Sequence, residues 1–138
     1  MLALAEPREG DVLYDLGSGD GRIVLAAARN YRVRAIGLEL DPDLVSESRR
    51  AVAAAGLQDL AEIREQDFLT ADLSAAGIVT LYLFPAANIR LRPILRQQLR
   101  PGARVVSHEF GMGSWSPTRT VQVTDLTTVP RLLHLWRI

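Results

Sequence analysis

A short apolar run that ends in a glycine-rich turn and continues into a helix constrains this chain more than any other feature. The run Val12–Leu16 is typical of a buried strand, and Gly17, Gly19 and Gly21 follow it at alternate positions. Helical periodicity then extends from about Gly21 to Asn30. A turn of this kind presents backbone amides at a helix start to a ligand, and its glycines let the ligand approach closely. We therefore expect a binding site at this turn.

The rest of the chain repeats the alternation of strand and helix, which is typical of an α/β fold with a largely parallel sheet. Asp41 and Pro42 predict a second helix start, because aspartate accepts from free amides and proline fits the first helical position. That helix is expected to stop at Gly56. Helical periodicity over Asn88–Leu99 contains Pro93, which either opens the helix or kinks it. The other predicted strands are Val33–Leu40, Ala61–Glu65, Gly77–Leu83, Ala103–Ser107, Thr120–Thr124 and Leu132–Trp136.

No helix is predicted among the last three strands. The segment Gly111–Pro117 has the composition of a loop, and the strand Thr120–Thr124 follows it directly. A short connection cannot cross over to a parallel neighbour. We therefore expect the last two strands to pair antiparallel.

Length and composition exclude several classes of protein. The chain has 138 residues, which suggests one domain over residues 1–138. It has no cysteine, which excludes disulfides, thiol nucleophiles and cysteine-ligated zinc, and its histidines form no metal-ligand pattern. Without a long apolar run or a signal pattern, the sequence predicts a cytoplasmic protein with no membrane span. Sixteen acids balance sixteen bases, all of them arginine, so no overall charge attracts nucleic acid or membrane.

Charge is unevenly distributed along the chain. Residues 1–72 hold 14 acidic residues and 8 arginines, whereas residues 73–138 hold 2 acidic residues and 8 arginines. Arg92, Arg96 and Arg100 recur every four residues and fall on one stripe of a helix. These arginines either steer an acidic protein or RNA to this chain, or form a solvated helix face.

Three carboxylates lie in or just beyond successive predicted strands. Asp15 precedes the glycines, Glu39 falls 18 residues beyond Gly21, and Asp67 follows the third strand. Open α/β sheets bind ligands at the carboxyl ends of their strands, so we expect Glu39 to accept from two ribose hydroxyls. Asp67 is expected to accept from the adenine amine with Phe68 beside the ring, and Asp15 suits a cationic amino group. The alternative for each of these three acids is a solvated side chain at the end of a strand, without a ligand. Together they describe a ligand with an amino-acid end, a ribose and an adenine but no pyrophosphate, which S-adenosylmethionine fits.

Three motifs carry a resemblance to a known family. The stretches Y-D-L-G-S-G-D-G-R, G-L-E-L-D-P and Q-D-F resemble the cofactor motifs of class I S-adenosylmethionine-dependent methyltransferases. The resemblance covers nearly the whole chain. It implies a Rossmann-like, doubly wound α/β fold with a seven-stranded sheet of order 3-2-1-4-5-7-6, an antiparallel seventh strand and no cap domain. It also implies S-adenosyl-L-methionine as cofactor. The predicted cofactor-binding residues are Asp15, Gly17, Ser18, Gly19, Gly21, Glu39, Leu40, Asp67, Phe68 and Thr80.

A second set of stretches narrows the resemblance. T-L-Y-L-F-P-A-A-N, L-R-P-G-A-R-V-V-S-H-E-F and W-S-P resemble a group of small methyltransferases in archaea, bacteria and mitochondria. Characterised members of that group methylate lysine side chains of proteins. Relatives carry a further N-terminal helical segment, of which this sequence is expected to keep only the last turn. The resemblance implies a protein partner that presents lysine, and we expect the enzyme to be a monomer or a weak oligomer.

Candidates for the methyl-transfer chemistry lie at the ends of the fourth and fifth strands. Tyr82 either accepts from or stacks on an incoming amine, or packs on the sheet. Glu109 is expected to receive a cationic substrate, and His108 is either a general base or structural. Asn88 either orients the substrate or caps a helix. Trp115 either lines the substrate entrance or covers the core where a helix is missing.

The sequence also narrows the substrate class. A cytosine-C5 methyltransferase of the usual kind needs a cysteine nucleophile, which this chain lacks. The stretch T-L-Y-L-F-P departs from the [D/N]-P-P-[Y/F] motif of methyltransferases that act on nucleic-acid amino groups, which makes nucleic acid a disfavoured partner. No residues remain for an inserted cap, and an open site suits a side chain on a macromolecule. The alternatives are a methyltransferase acting on RNA or a small molecule, and a cofactor-binding domain without activity.

Overall fold

A seven-stranded sheet with helices on both faces forms the fold. The computed structural model describes residues 1–124, 127 and 129–138. The strands are β1 (Val12–Leu16), β2 (Arg34–Glu39), β3 (Ala61–Glu65), β4 (Ile78–Leu81), β5 (Arg104–His108), β6 (Arg119–Thr124) and β7 (Pro130–Arg137). The helices are α1 (Leu2–Ala5), α2 (Arg22–Tyr31), α3 (Pro42–Ala54) and α4 (Pro85–Gln98), and a short 3-10 helix covers Phe68–Thr70. In this part of the chain, no helix combines the length and apolar character needed to cross a bilayer.

The strand order is β3-β2-β1-β4-β5-β7-β6. Strands β1 to β5 pair in parallel, whereas β7 pairs antiparallel with both β5 and β6. The predicted order and the antiparallel last strand are therefore confirmed. Because parallel strands share one direction, the carboxyl ends of β1 to β5 meet at a single edge of the sheet, where ligands bind in folds of this type.

Strand β1 is buried on both faces, which explains its nearly continuous apolar sequence. Leu13 packs on one side with Val24 and Ala27 of α2. Tyr14 and Leu16 belong to the opposite layer, which includes Leu91 and Leu95 of α4. The glycine-rich turn that follows β1 is thus anchored at the centre of the sheet.

The predicted helix starts are confirmed for α3 but not for α4. Asp41 caps α3, and its Oδ1 accepts from the backbone N–H of Asp43 at 2.9 Å. Helix α4 begins at Pro85, because proline suits the first helical position, so Asn88 is not the cap. Pro93 lies inside α4 and does not open it. Strand β4 ends at Leu81, two residues earlier than predicted, which leaves the next residues free to line a site.

A buried arginine ties the N-terminal segment to the sheet. Arg104 on β5 is 5% exposed, and its Nε donates to the carbonyl of Ala5 at 2.8 Å. Its guanidinium also pairs with the carboxylate of Asp11. These contacts lie at the amino-terminal end of β5, and they hold α1 in place at the edge of the sheet opposite the carboxyl ends.

Candidate active site

The glycine-rich turn is held against the end of β2. The backbone N–H groups of Gly17 and Ser18 both donate to the carbonyl of Leu38, at 2.9 and 3.0 Å. Gly17 has φ of +76°, and a Cβ there would lie 2.8 Å from the side chain of Leu83, so the position needs glycine. Gly19 has φ of +57°, and a Cβ there would meet nothing within 4 Å. The turn is therefore closely packed against the protein at Gly17 and open to a ligand at Gly19.

A pocket of about 510 Å³ opens above this turn. It brings together four of the predicted cofactor residues and the predicted catalytic Tyr82. Four further lining residues were not predicted. Asp20 and Arg22 belong to the motif Y-D-L-G-S-G-D-G-R, so the motif could have identified them. No local signal in the sequence marks Ile23 or Leu44. The lining residues are Asp15, Gly17, Ser18, Gly19, Asp20, Arg22, Ile23, Leu44 and Tyr82.

Asp15 is a buried carboxyl group in the wall of this pocket. It is 2% exposed, and Oδ1 accepts from the hydroxyl of Thr80 at 2.8 Å. Burial, with smaller contributions from the carboxylates of Glu39 and Asp20, raises the pKa of Asp15 to about 7 against the lowering effect of the Thr80 bond. Thr80 is itself fully buried and acts on the site through Asp15. A cation placed in the pocket would favour the ionised form of Asp15.

Glu39 connects the glycine-rich turn to the start of α3. Oε1 accepts from the N–H of Gly19 at 2.8 Å, and Oε2 accepts from the N–H groups of Leu40 and Asp41 at 2.9 and 3.0 Å. A carboxylate offers about four acceptor positions, so three are in use. To accept from two ribose hydroxyls, Glu39 would release one of these amides. Of the three amides bonded to Glu39, the N–H of Gly19 is the one that belongs to a residue with open space beside it.

The remaining predicted cofactor residues lie outside the lining of this pocket. Asp67 accepts from the N–H of Leu69 at 2.9 Å and caps the 3-10 helix, and Phe68 packs against the core. Leu40 is 59% exposed. Gly21 caps α2 with φ of +83°, and a Cβ there would lie 2.9 Å from that of Ser48, so the position needs glycine for close packing against α3.

A second pocket, of about 260 Å³, adjoins the first. Tyr82 lines both pockets, and its ring lies 4.2 Å from the His108 ring at an interplanar angle of 40°. The structure thus brings the three predicted catalytic residues Tyr82, His108 and Glu109 together. Tyr82 is 62% exposed, so it does not serve as sheet packing. The lining residues are Tyr82, Leu83, Phe84, His108, Glu109, Phe110 and Arg131.

Glu109 sits in a strained turn that is held by several bonds. Its φ is +68°, and the N–H of Phe110 donates back to the carbonyl of His108 at 2.8 Å. A non-glycine residue in such a three-residue turn costs about 1–3 kcal/mol. The N–H of Glu109 donates to the carbonyl of Leu132 at 2.7 Å, and Oε2 accepts from the N–H of Leu132 at 3.3 Å. Strand β7 therefore fixes this carboxylate at the second pocket.

Asn88 supports the same turn from the helix side. It is fully buried, and its Nδ2 lies 3.1–3.2 Å from Ser107 Oγ and from the carbonyls of Phe110 and Gly111. Its Oδ1 is buried and has no hydrogen-bond partner among the described residues. The interpretation of Asn88 as a helix cap is wrong, because Phe84 occupies that position. Asn88 instead holds the loop that carries Glu109 and Phe110.

The arginine stripe on α4 contacts its own fold. Arg92 Nη1 donates to the carbonyl of Met112 at 3.2 Å, the guanidinium of Arg96 lies 5.3 Å from the Trp115 ring, and Arg100 Nε donates to the carbonyl of Ser74 at 3.0 Å. Trp115 packs against the core layer that α4 covers. The stripe and Trp115 together close the core where no helix connects β5 to β6. Within the described residues, no group of three or more histidine or acidic side chains is placed to hold a metal ion.

Comparison with known proteins identifies the family. The family model described as ANTKMT methyltransferase domain matches residues 15–119. The chain belongs to this methyltransferase family. The match includes both pockets as far as Phe110, so the methyltransferase fold and class predicted from the three cofactor motifs are confirmed.

Individual relatives agree on methyl transfer and differ in substrate. The chain is 38% identical over 126 residues to a protein-lysine N-methyltransferase of Saccharolobus islandicus, covering 91% of this chain and 78% of that protein. It is 37% identical over 121 residues to the adenine nucleotide translocase lysine N-methyltransferase of Mus musculus, covering 88% of this chain but only 52% of the mouse protein. The crystal structure of an RNA methyltransferase from Salinibacter ruber in complex with S-adenosyl-L-homocysteine is 53% identical, with a TM-score of 0.91, covering 99% of this chain and 86% of that one.

Proposed function

We propose that this methyltransferase uses S-adenosylmethionine to methylate the side-chain amine of lysine in proteins. The observation that carries the proposal is the shared wall of the two pockets. Tyr82 lines both the pocket above the glycine-rich turn and the pocket that holds Glu109. A methyl donor in the first pocket and an amine in the second would meet beside the Tyr82 ring. We call these the cofactor pocket and the acceptor pocket.

The residues of the cofactor pocket fit S-adenosylmethionine. A pocket of about 510 Å³ lies in the range of about 300–1,000 Å³ that is usual for small-molecule sites. Asp15 offers a carboxylate to the cationic amino group. Glu39 lies outside the lining but bonds to the N–H of Gly19 in it, and it would accept from ribose hydroxyls after releasing that amide. When bound, this cofactor supplies a methyl group that its positively charged sulfur activates for transfer.

The acceptor pocket fits a lysine side chain. A lysine ammonium is attracted by the carboxylate of Glu109 and by the faces of aromatic rings such as Tyr82. The loss of water around the amine in the occupied pocket lowers its pKa and favours the neutral nucleophile, against the opposing effect of the carboxylate and the ring faces. The nitrogen forms its bond to the methyl carbon as the carbon–sulfur bond breaks, and the electron pair stays on sulfur. His108 lies against Tyr82 and lines the same pocket, and as general base it would take the proton of the amine.

The Salinibacter ruber structure, which is described as an RNA methyltransferase, makes RNA the second candidate substrate. Two features of this chain favour protein over RNA. The acceptor pocket carries the carboxylate of Glu109, which repels phosphate. In the stripe of Arg92, Arg96 and Arg100, which was the sequence feature suited to phosphate, each guanidinium makes a contact within the fold, although Arg96 and Arg100 stay exposed.

Isotope transfer from methyl-labelled S-adenosylmethionine tests the proposal. The enzyme is incubated with a cell lysate, and protein, RNA and metabolite fractions are separated before peptides are sequenced by mass spectrometry. We expect label on lysine side chains of proteins, and Glu109→Gln should reduce it while retaining affinity for S-adenosylhomocysteine. The enzyme adds no lysine background, because its own sequence has no lysine side chain. Label confined to RNA or metabolites would reject the assignment to lysine.

A further inference from the structure

The acceptor pocket is surrounded by aromatic rings that the fold leaves in solvent. The chain has only three Phe, three Tyr and two Trp residues. Tyr82, Phe84 and Phe110 all line this one pocket and are 62%, 80% and 36% exposed. We call these three residues the aromatic rim. A phenylalanine ring buries about 150–250 Å² when it is covered, so exposed rings grouped at one place mark a binding surface.

The backbone on both sides of the aromatic rim is fixed. Phe84 is extended, with φ of −75° and ψ of 159°, because it lies between the end of β4 and Pro85 at the start of α4. The carbonyl of Phe110 accepts from Ser107 Oγ at 2.6 Å and from Asn88 Nδ2 at 3.2 Å. Rings held on a fixed backbone lose little conformational entropy when they bind, which is the property of an interface anchor.

The position of the aromatic rim around the acceptor pocket indicates which partner would cover it. If the acceptor pocket receives lysine, as in the proposed function on which this inference rests, the polypeptide that carries the lysine must cross the rim. The lysine ammonium is matched by the carboxylate of Glu109, which leaves the exposed rings of Phe84 and Phe110 to the neighbouring side chains. Apolar side chains gain free energy on rings of this kind, whereas small polar side chains gain little.

We propose that the aromatic rim binds a large apolar side chain adjacent to the target lysine, so that the enzyme selects lysines with leucine, isoleucine or phenylalanine beside them. RNA bases also stack on aromatic rings. The peptide is favoured because the pocket within the rim holds the carboxylate of Glu109 and a single arginine, Arg131, rather than a cluster of basic side chains. Methylation of RNA is therefore an outcome that the test must distinguish.

Two peptides of equal length and charge test the preference. Each contains one lysine, flanked on both sides by leucine in the first and by serine in the second. Covering about half of a leucine side chain predicts a kcat/KM about tenfold higher for the leucine peptide. Phe84→Ser should reduce this ratio to near one. Tyr31→Ser is the matched control, because Tyr31 is an exposed ring on α2, and the control should keep both the ratio and the rates.

Calorimetric binding of S-adenosylhomocysteine shows that each variant is folded, since neither substituted residue lines the cofactor pocket. An equal kcat/KM for the two peptides would overturn the inference and leave lysine methylation standing. A leucine preference that survives in Phe84→Ser would also overturn it. If the wild-type enzyme methylates neither peptide, the proposed function and the inference fail together, and label on RNA added to the same assay would identify the alternative substrate.

Discussion

Protonation of Asp15 is expected to couple cofactor binding to pH. Its pKa of about 7 means that much of the carboxyl group is neutral at and below neutral pH. The amino group of the cofactor is cationic, so it binds the ionised form and displaces the proton. Below about pH 7, the affinity for S-adenosylhomocysteine should therefore fall by up to about tenfold for each pH unit, and above about pH 7 it should be level.

The size of the effect follows from the burial of this carboxyl group. The pKa of Asp15 rises from its ordinary value of 3.8 to about 7, which corresponds to about 4 kcal/mol. The folded chain holds this proton more tightly than the unfolded chain does. Its contribution to the free energy of unfolding is therefore largest below about pH 4, declines up to about pH 7 and is level above that.

Three variants separate Asp15 from the other acids near the pocket. Asp15→Asn removes the titrating group, so its affinity for S-adenosylhomocysteine should be weaker and lose the pH slope. Thr80→Val removes a hydrogen bond that favours the ionised carboxylate, and it should shift the midpoint of the slope to higher pH. Thr80→Ser keeps the hydroxyl and serves as control.

Calorimetry from about pH 6 to about pH 8, in buffers with different ionisation enthalpies, measures both the affinity and the protons released. Proton release in the wild type that disappears in Asp15→Asn is the expected result. A wild-type affinity that does not change with pH, or the same slope in Asp15→Asn, would refute the reasoning.

Three substitutions test other parts of the structure. Asn88→Ala removes the donor that holds the carbonyls of Phe110 and Gly111, so it is expected to lower the free energy of unfolding by about 1–3 kcal/mol, measured by denaturant titration. It should also lower kcat/KM for lysine peptides more than the calorimetric affinity for S-adenosylhomocysteine, and equal losses in these two quantities would contradict a positioning role. Arg104→Ala leaves Asp11 without its partner and should cost about 3 kcal/mol in urea unfolding, and a loss near zero would contradict the anchoring role of this pair. Gly17→Ala should weaken S-adenosylhomocysteine binding at least tenfold through strain and contact with a side chain, whereas Gly10→Ala, with φ of +87° but no atom within 4 Å, should bind normally.

The sheet and the cofactor side were predictable because their signals are local. The glycine spacing after β1 and the Asp41–Pro42 helix start each depend on a few adjacent residues, and both lie where the sequence indicated. Asp15 lines the pocket, whereas Glu39 lies outside the lining and contacts it through the N–H of Gly19; their roles toward a cofactor stay predictions. Asp67 fell outside the pocket lining because its carboxylate caps the next 3-10 helix, and local spacing does not distinguish these two roles.

The acceptor side was less predictable because long-range contacts build it. Asn88 has a side chain typical of a helix cap, but Pro85 starts the helix three residues earlier and turns Asn88 into a buried donor. Glu109 adopts its strained turn through hydrogen bonds to Leu132, 23 residues away. The spacing of the arginine stripe defined a helix face, yet it did not indicate that Trp115 lies against that face.

The contact between Trp115 and Trp136 makes the intrinsic tryptophan fluorescence of the enzyme a local probe. The chain has two tryptophans, their rings lie 5.8 Å apart, and Trp136 Nε1 donates to the carbonyl of Trp115 at 2.9 Å. All tryptophan emission therefore arises from one spot, at the segment Gly111–Pro117 that follows Phe110. Rapid-mixing fluorescence of the unlabelled enzyme can therefore report on the surroundings of that segment when a peptide is added.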